Sequence, residues 1–190
     1  MRAFLAIEID EKIKETVVKL IEKLSVRGEG ISWVKKENIH LTLFFFENLK
    51  EEDVEKISYA VLEKAKQTEP FSLEVKGGGF FGRREAPKVF WLGFDKDLPA
   101  LKKFQAEIAD SFKNFGYLED KRFAPHLTIG RNRTGKKQNY VVSTLLDYKD
   151  FSLGTFLVEG VVLFKSELLK GGALHTPIKK FTLGEKIDKD

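Results

Sequence analysis

The chain opens on a solid apolar run. From Arg2 to Glu8 nearly every residue is hydrophobic and Asp10 follows, so a buried strand is expected to lead into a helix capped by that aspartate. The helix shows as a stripe: Ile13, Val17, Leu20, Ile21 and Leu24 recur at helical spacing, with Glu11, Lys12, Lys14, Glu15, Lys19 and Lys23 on the other faces. It should end near Arg27-Gly28. After a polar link, Ile39 to Phe46 reads as a strand, Val54, Ile57, Val61 and Ala65 as a second amphipathic helix, and alternating Phe71, Leu73 and Val75 as another strand. Gly77-Gly78-Gly79 reads as a flexible turn or bulge, since no Gly-Lys-Ser/Thr follows to make a phosphate loop. Lys88 to Phe94 is again strand-like, with Asp97 as a cap and Pro99 in the first turn of a third helix. Leu101, Phe104, Ile108, Phe112 and Phe115 are that helix's stripe, and Gly116 stands at its left-handed end. Arg131 to Asn139 reads as a basic, mobile loop, and Phe151 to Phe164 and Ile178 to Leu183 as closing strands.

One unit occurs twice. Strand, amphipathic helix, polar link and a strand beginning His-Leu-Thr run over residues 2–43 and again over 88–129. A duplicated lobe is the economical explanation, and strands with packed helices predict an α+β class. The expectation is a single bilobal domain spanning residues 1–190, its two lobes pseudo-symmetric about a central cleft.

Composition narrows the rest. A length of 190 residues suits one domain, or two small lobes sharing a core, and the seventeen Phe supply core volume. Without cysteine, disulfides, a thiol nucleophile and thiolate zinc sites are excluded, which fits a reducing compartment. The opening apolar run meets Glu8 and Asp10 too early for a signal-peptide core, and no later run could span a bilayer. A soluble, cytoplasmic monomer without a membrane partner is therefore expected. With 33 Lys plus Arg against 29 Asp plus Glu, an anionic ligand is allowed but not required.

The chain holds only three His, and two of them begin His40-Leu41-Thr42-Leu43 and His126-Leu127-Thr128-Ile129, at matched places in the repeat. Strand alternation puts each His on one face with its Thr, while Leu41, Leu43, Leu127 and Ile129 point to the core. Lobes related by a pseudo-twofold axis would bring these polar faces together, giving two imidazoles and two hydroxyls across one cleft. That set suits in-line displacement at phosphorus, where one group activates the nucleophile and another protonates the leaving oxygen. An imidazole that titrates near about 6.5 can fill either role at neutral pH, each worth about 10² to 10⁴ in rate. Nothing near either His separates acid from base. The Thr hydroxyls would hold the non-bridging oxygens. Two His with no adjacent Asp or His and no Cys supply too few ligands for a metal site, so neither metal nor cofactor is expected.

These motifs, with Arg2-Ala3-Phe4-Leu5-Ala6-Ile7, Glu37-Asn38-Ile39, Val89-Phe90-Trp91-Leu92-Gly93, Phe123-Ala124-Pro125 and Phe164-Lys165-Ser166-Glu167-Leu168, resemble the two-histidine phosphoesterases over nearly the whole chain. The resemblance is strongest to the bacterial and archaeal RNA 2',3'-cyclic phosphodiesterases, also called 2'-5' RNA ligases. It implies two lobes of antiparallel sheet with outer helices and a metal-independent mechanism. The implied reaction turns an RNA 2',3'-cyclic phosphate end into a 2'-phosphomonoester, with reversible 2'-5' ligation alongside it. It also implies that His40 is the proton donor, His126 the proton acceptor, and Thr42 and Thr128 phosphate ligands. Arg131 matches a basic position after the second motif and is a further substrate-binding candidate, against the plainer reading of a solvated loop arginine.

The sequence departs from that pattern in places. Relatives often carry a basic residue where Phe44 stands and glycine at Glu47. Phe44 would share the His40 face and could stack on a base, though core packing is the plainer expectation. His175 stands where relatives often have Tyr and is read as structural or solvent-exposed. Two rival readings remain: a cyclic phosphodiesterase for a small nucleotide or ADP-ribose cyclic phosphate, and an RNA-binding module without catalysis. Lys35, Lys36, Arg83, Arg84, Arg131, Arg133, Lys136 and Lys137 favour an open basic groove, and hence RNA.

Overall fold

Strand β1 (Ala3–Glu8) and helix α1 (Glu11–Ser25) form from the opening run and stripe. The computed structural model describes residues 1–119 and 122–184. Asp10 caps α1, its carboxylate accepting from the N–H groups of Lys12 at 2.9 Å and Ile13 at 3.4 Å, and all five stripe residues are buried. A short strand β2 (Ile31–Trp33) and a 3-10 turn (Lys36–Asn38) lead to β3 (His40–Phe46) and helix α2 (Val54–Lys66). There follow β4 (Phe71–Arg83), β5 (Ala86–Lys96), α3 (Leu98–Lys113), β6 (Leu127–Asn132) and α4 (Asn139–Asp147). Strands β7 (Ser152–Val158), β8 (Gly160–Leu169) and β9 (Gly172–Thr182) close the chain.

Two antiparallel sheets result, in the orders β3-β1-β8-β9 and β2-β6-β5-β4-β7. In the first sheet β1 pairs with β3, across α1 and β2 in the chain, and in the second β5 pairs with β6, across α3. The helices change sides. α1 leaves the first sheet to pack with α4, β2 and β7 on the second, whereas α2 lies over β8 and β9 of the first, and α3 packs on α2 and meets both β3 and β4. One core cluster therefore runs from Leu5 and Leu41 through Phe104 to Phe90 and Leu145. The class is α+β, with antiparallel sheets and covering helices as expected. No described helix is long and apolar enough to cross a membrane.

Several elements differ from the sequence reading. Gly77-Gly78-Gly79 is no turn, because β4 runs through it. It does hold a bulge, with Gly77 at φ 75° and a register shift between Val75 and Gly78. Asp97 does not cap α3 with its side chain, which instead accepts from the Ser72 N–H at 3.0 Å. Most of the expected loop from Arg131 to Asn139 is a loop, but β6 continues to Asn132, and α4 begins at Asn139 and buries Val141, Val142 and Leu145.

Strands β3 and β6 carry matched bulges. Leu5 faces Phe44 but Ala6 faces Thr42, so Leu43 is an extra residue; Phe90 faces Gly130 but Trp91 faces Thr128, so Ile129 is another. Their carbonyls fall out of the ladder and find other partners. The Gln105 side-chain amide donates to Leu43 O at 3.2 Å, and the Val34 N–H donates to Ile129 O at 2.9 Å. After each bulge the faces exchange. Phe44 thus turns away from Thr42 into the core, 1% exposed against Phe46 and Phe112, and Arg131 turns to the face of Thr128.

Candidate active site

Strand β3 is the free edge of the first sheet, and it approaches β6 of the second. His40 begins β3 and His126 immediately precedes β6, so each histidine stands at the start of one of the two approaching strands. His40, Thr42, His126 and Thr128 are all half-buried, whereas Leu41, Leu43, Leu127 and Ile129 are fully buried. The alternation that separates a polar face from the core is thus present on both strands.

Each His is held by an aromatic ring and by the carbonyl two residues before it. His40 stacks on the buried Phe4, centroids 4.6 Å apart and planes 18° apart. His126 meets Phe81 edge to face at 5.0 Å, and its Nδ1 lies 2.7 Å from Ala124 O. That contact assigns the Nδ1 proton to the carbonyl and leaves Nε2 for chemistry. Burial lowers the His40 pKa from 6.5 to about 4, helped by the charge His175 can carry and by Lys14 and opposed by the Asn38 carbonyl.

On the second sheet one face reads in rows. Gly79, Trp91 and Thr128 form one row across β4, β5 and β6, and Phe81, Val89 and Arg131 the next. Gly79 is required there, because a Cβ would come within 2.5 Å of the Trp91 ring. Arg131 lies on this face, exposed; partial burial of its guanidinium and the nearby Arg133 lower its pKa without removing its charge. Of the other basic candidates, Lys35, Arg83, Arg84, Arg133, Lys136 and Lys137 are exposed, while Lys36 is engaged by Glu11 and Glu15.

His175, read from the sequence as structural or solvent-exposed, lies beside His40. It lies on β9, half-buried, with its ring edge to face with Phe4 at 4.7 Å and with His40 at 5.4 Å. No motif marks it, since Thr176 follows directly and β9 has no His-x-Thr. Among the described residues no cluster of three or more His, Cys, Asp or Glu could hold a metal.

The chain is similar to known proteins in sequence and in fold. The profile of the 2'-5' RNA ligase superfamily matches residues 11–168. A Thermotoga maritima RNA 2',3'-cyclic phosphodiesterase is 39% identical over 131 residues, 69% of this chain and 70% of that protein. One from Methanocaldococcus jannaschii is 32% identical over 182 residues, 95% of this chain and all of that protein. In fold, a Thermus thermophilus protein of known crystal structure superposes with a TM-score of 0.84 at 23% identity, covering 98% of this chain and all of its own. Escherichia coli LigT complexed with 3'-AMP gives 0.79 at 22% identity, covering 97% of this chain and 98% of LigT.

Proposed function

The chain belongs to the 2'-5' RNA ligase superfamily, and from that membership we propose that it hydrolyses RNA 2',3'-cyclic phosphate ends to 2'-phosphomonoesters without a metal, as a cytoplasmic monomer. The reading is supported by the placement of His40 and His126 at the starts of two strands that approach each other, each ring in contact with an aromatic ring and each followed by a half-buried threonine two residues on.

In this mechanism water attacks phosphorus opposite the 3' oxygen. His126, with Nδ1–H held by Ala124 O, accepts the water proton at Nε2. The P–O3' bond breaks as the P–O(water) bond forms, and His40 donates its proton to O3'. The products are a 2'-phosphate and a 3'-hydroxyl, and both rings exchange protons with solvent to reset. Thr42 and Thr128 donate to the non-bridging oxygens, and Arg131, brought to the Thr128 face by the bulge, balances their charge. An RNA 5'-hydroxyl in the water's place would give a 2'-5' diester, which is the ligation reaction. The exposed Arg83, Arg84, Arg131 and Arg133 at one end of the second sheet support a polyanionic RNA over a small cyclic nucleotide.

The test is mutational. His40→Ala and His126→Ala should each lower turnover of a 2',3'-cyclic phosphate oligonucleotide at least about a hundredfold, and the double mutant should lose less than the product of the two. A single mutant with near-normal turnover refutes the paired acid and base.

A further inference from the structure

The third imidazole is not a bystander in the geometry. Asn38, two residues before His40, donates from its side-chain amide to Ala173 O at 3.0 Å, two residues before His175. One residue therefore ties β9 to the 3-10 turn that delivers His40, and its own carbonyl lies against the His40 ring. The clamp sets His175 at 81° to the Phe4 ring and 87° to the His40 ring, so that Phe4 and His40 stack as a parallel pair with His175 closing the side. Phe164 stacks on the far part of Phe4 at 5.2 Å and completes the floor. His175 Nδ1 is buried there without a hydrogen-bond partner among the described residues. A buried ring nitrogen left unsatisfied is costly, and such a group in a native fold calls for an explanation.

We propose that His175 is a positioning residue for His40: held by the Asn38 clamp and wedged at right angles to the stacked pair, it fixes the orientation in which the His40 imidazole meets the phosphate. The inference rests on the cyclic phosphodiesterase reading above, in which His40 delivers the proton to O3'. Wedging restricts the ring to the conformer stacked on Phe4, so the donor is aligned before substrate arrives. The same closeness makes the proton conditional, because two imidazoles with centroids 5.4 Å apart resist carrying charge together.

The other ionisable groups around His40 divide by sign. Lys14 of α1 adds to the repulsion, and Glu8, the cross-strand partner of His40 on β1, lies 3.7 Å from Lys180. On β8, Lys165 and Glu167 pair with each other at 3.2 Å. An incoming phosphate anion supplies the missing counter-charge and loads the donor at the moment it is needed.

The chain's three His make the test direct, since each imidazole proton signal is assigned by its loss in one substitution. In the free protein the His40 midpoint should lie near 4 and move upward on adding inorganic phosphate. In His175→Phe, which keeps a ring without a charge, the ligand-free midpoint should also move upward. Asn38→Ala, which releases β9 from the turn, should move it in the same direction. Steady-state turnover of a 2',3'-cyclic phosphate oligonucleotide by His175→Gln should show kcat lower by at least about tenfold with little change in KM, the mark of an interaction used in the transition state. A His40 midpoint in His175→Phe equal to that of the wild type overturns the inference, as does wild-type kcat in His175→Gln. If the wild-type protein itself fails to turn over the oligonucleotide, the functional reading falls, and the midpoint in His175→Phe still decides whether His175 acts on His40.

Discussion

At His40 the cost of burying charge is written into the stability of the fold. The ring titrates at about 4 when folded against 6.5 ordinarily, so between those values the unfolded chain binds more protons than the native one. Stability therefore rises with pH across that window, is complete above it, and is lost as pH falls towards 4. The limit is about 3 kcal/mol, reduced by whatever solvent reaches the half-buried ring. Urea unfolding at pH 4 and pH 7 should show this difference in the wild type and a smaller one in His40→Gln; equal pH slopes in the two would contradict the burial of His40. The sequence made His40, Thr42, His126 and Thr128 legible, because a two-residue period and a repeat of His-Leu-Thr leave a mark in one dimension. His175 left none. It reaches His40 through the Asn38–Ala173 contact, which spans 135 residues and has no local signature.

Among the elements, α1 and α3 were legible because fifteen and sixteen residues give the apolar stripe several turns to declare itself. β2 has three residues, too few for alternation, and α4 has nine, following a polar loop that hid its start. The bulges were beyond a period-two reading, since one inserted residue reverses every face after it; this is why Phe44 packs in the core, as was the plainer expectation, but from the face opposite His40. Gln105 supports the first of them. Its buried amide satisfies Leu43 O, so Gln105→Leu should cost about 1 to 3 kcal/mol in denaturant unfolding by orphaning that carbonyl. It should also lower turnover, because the bulge sets the face of Thr42; full stability in this variant would show that the bulge carbonyl needs no partner. Asp10→Ala should cost about 1 kcal/mol through loss of the α1 cap, read as a lowered unfolding midpoint.

Taken whole, the molecule is two antiparallel sheets over one core, and strand β3 of the first approaches strand β6 of the second. The first sheet runs in the order β3-β1-β8-β9 and the second in the order β2-β6-β5-β4-β7. Exposed arginines at one end of that sheet set the outlook for RNA binding. Affinity for an oligonucleotide should fall as salt rises, and Arg83→Ala and Arg84→Ala should each reduce the slope of log K against log salt by about one if they meet phosphates. Metal-independent hydrolysis by two imidazoles is decided by a single incubation. An oligonucleotide ending in a 2',3'-cyclic phosphate is mixed with the protein in excess EDTA, and the product isomer is identified. Undiminished turnover and a 2'-phosphate with a free 3'-hydroxyl are expected; a 3'-phosphate product, or turnover that appears only when a divalent metal is restored, would contradict the two-imidazole mechanism.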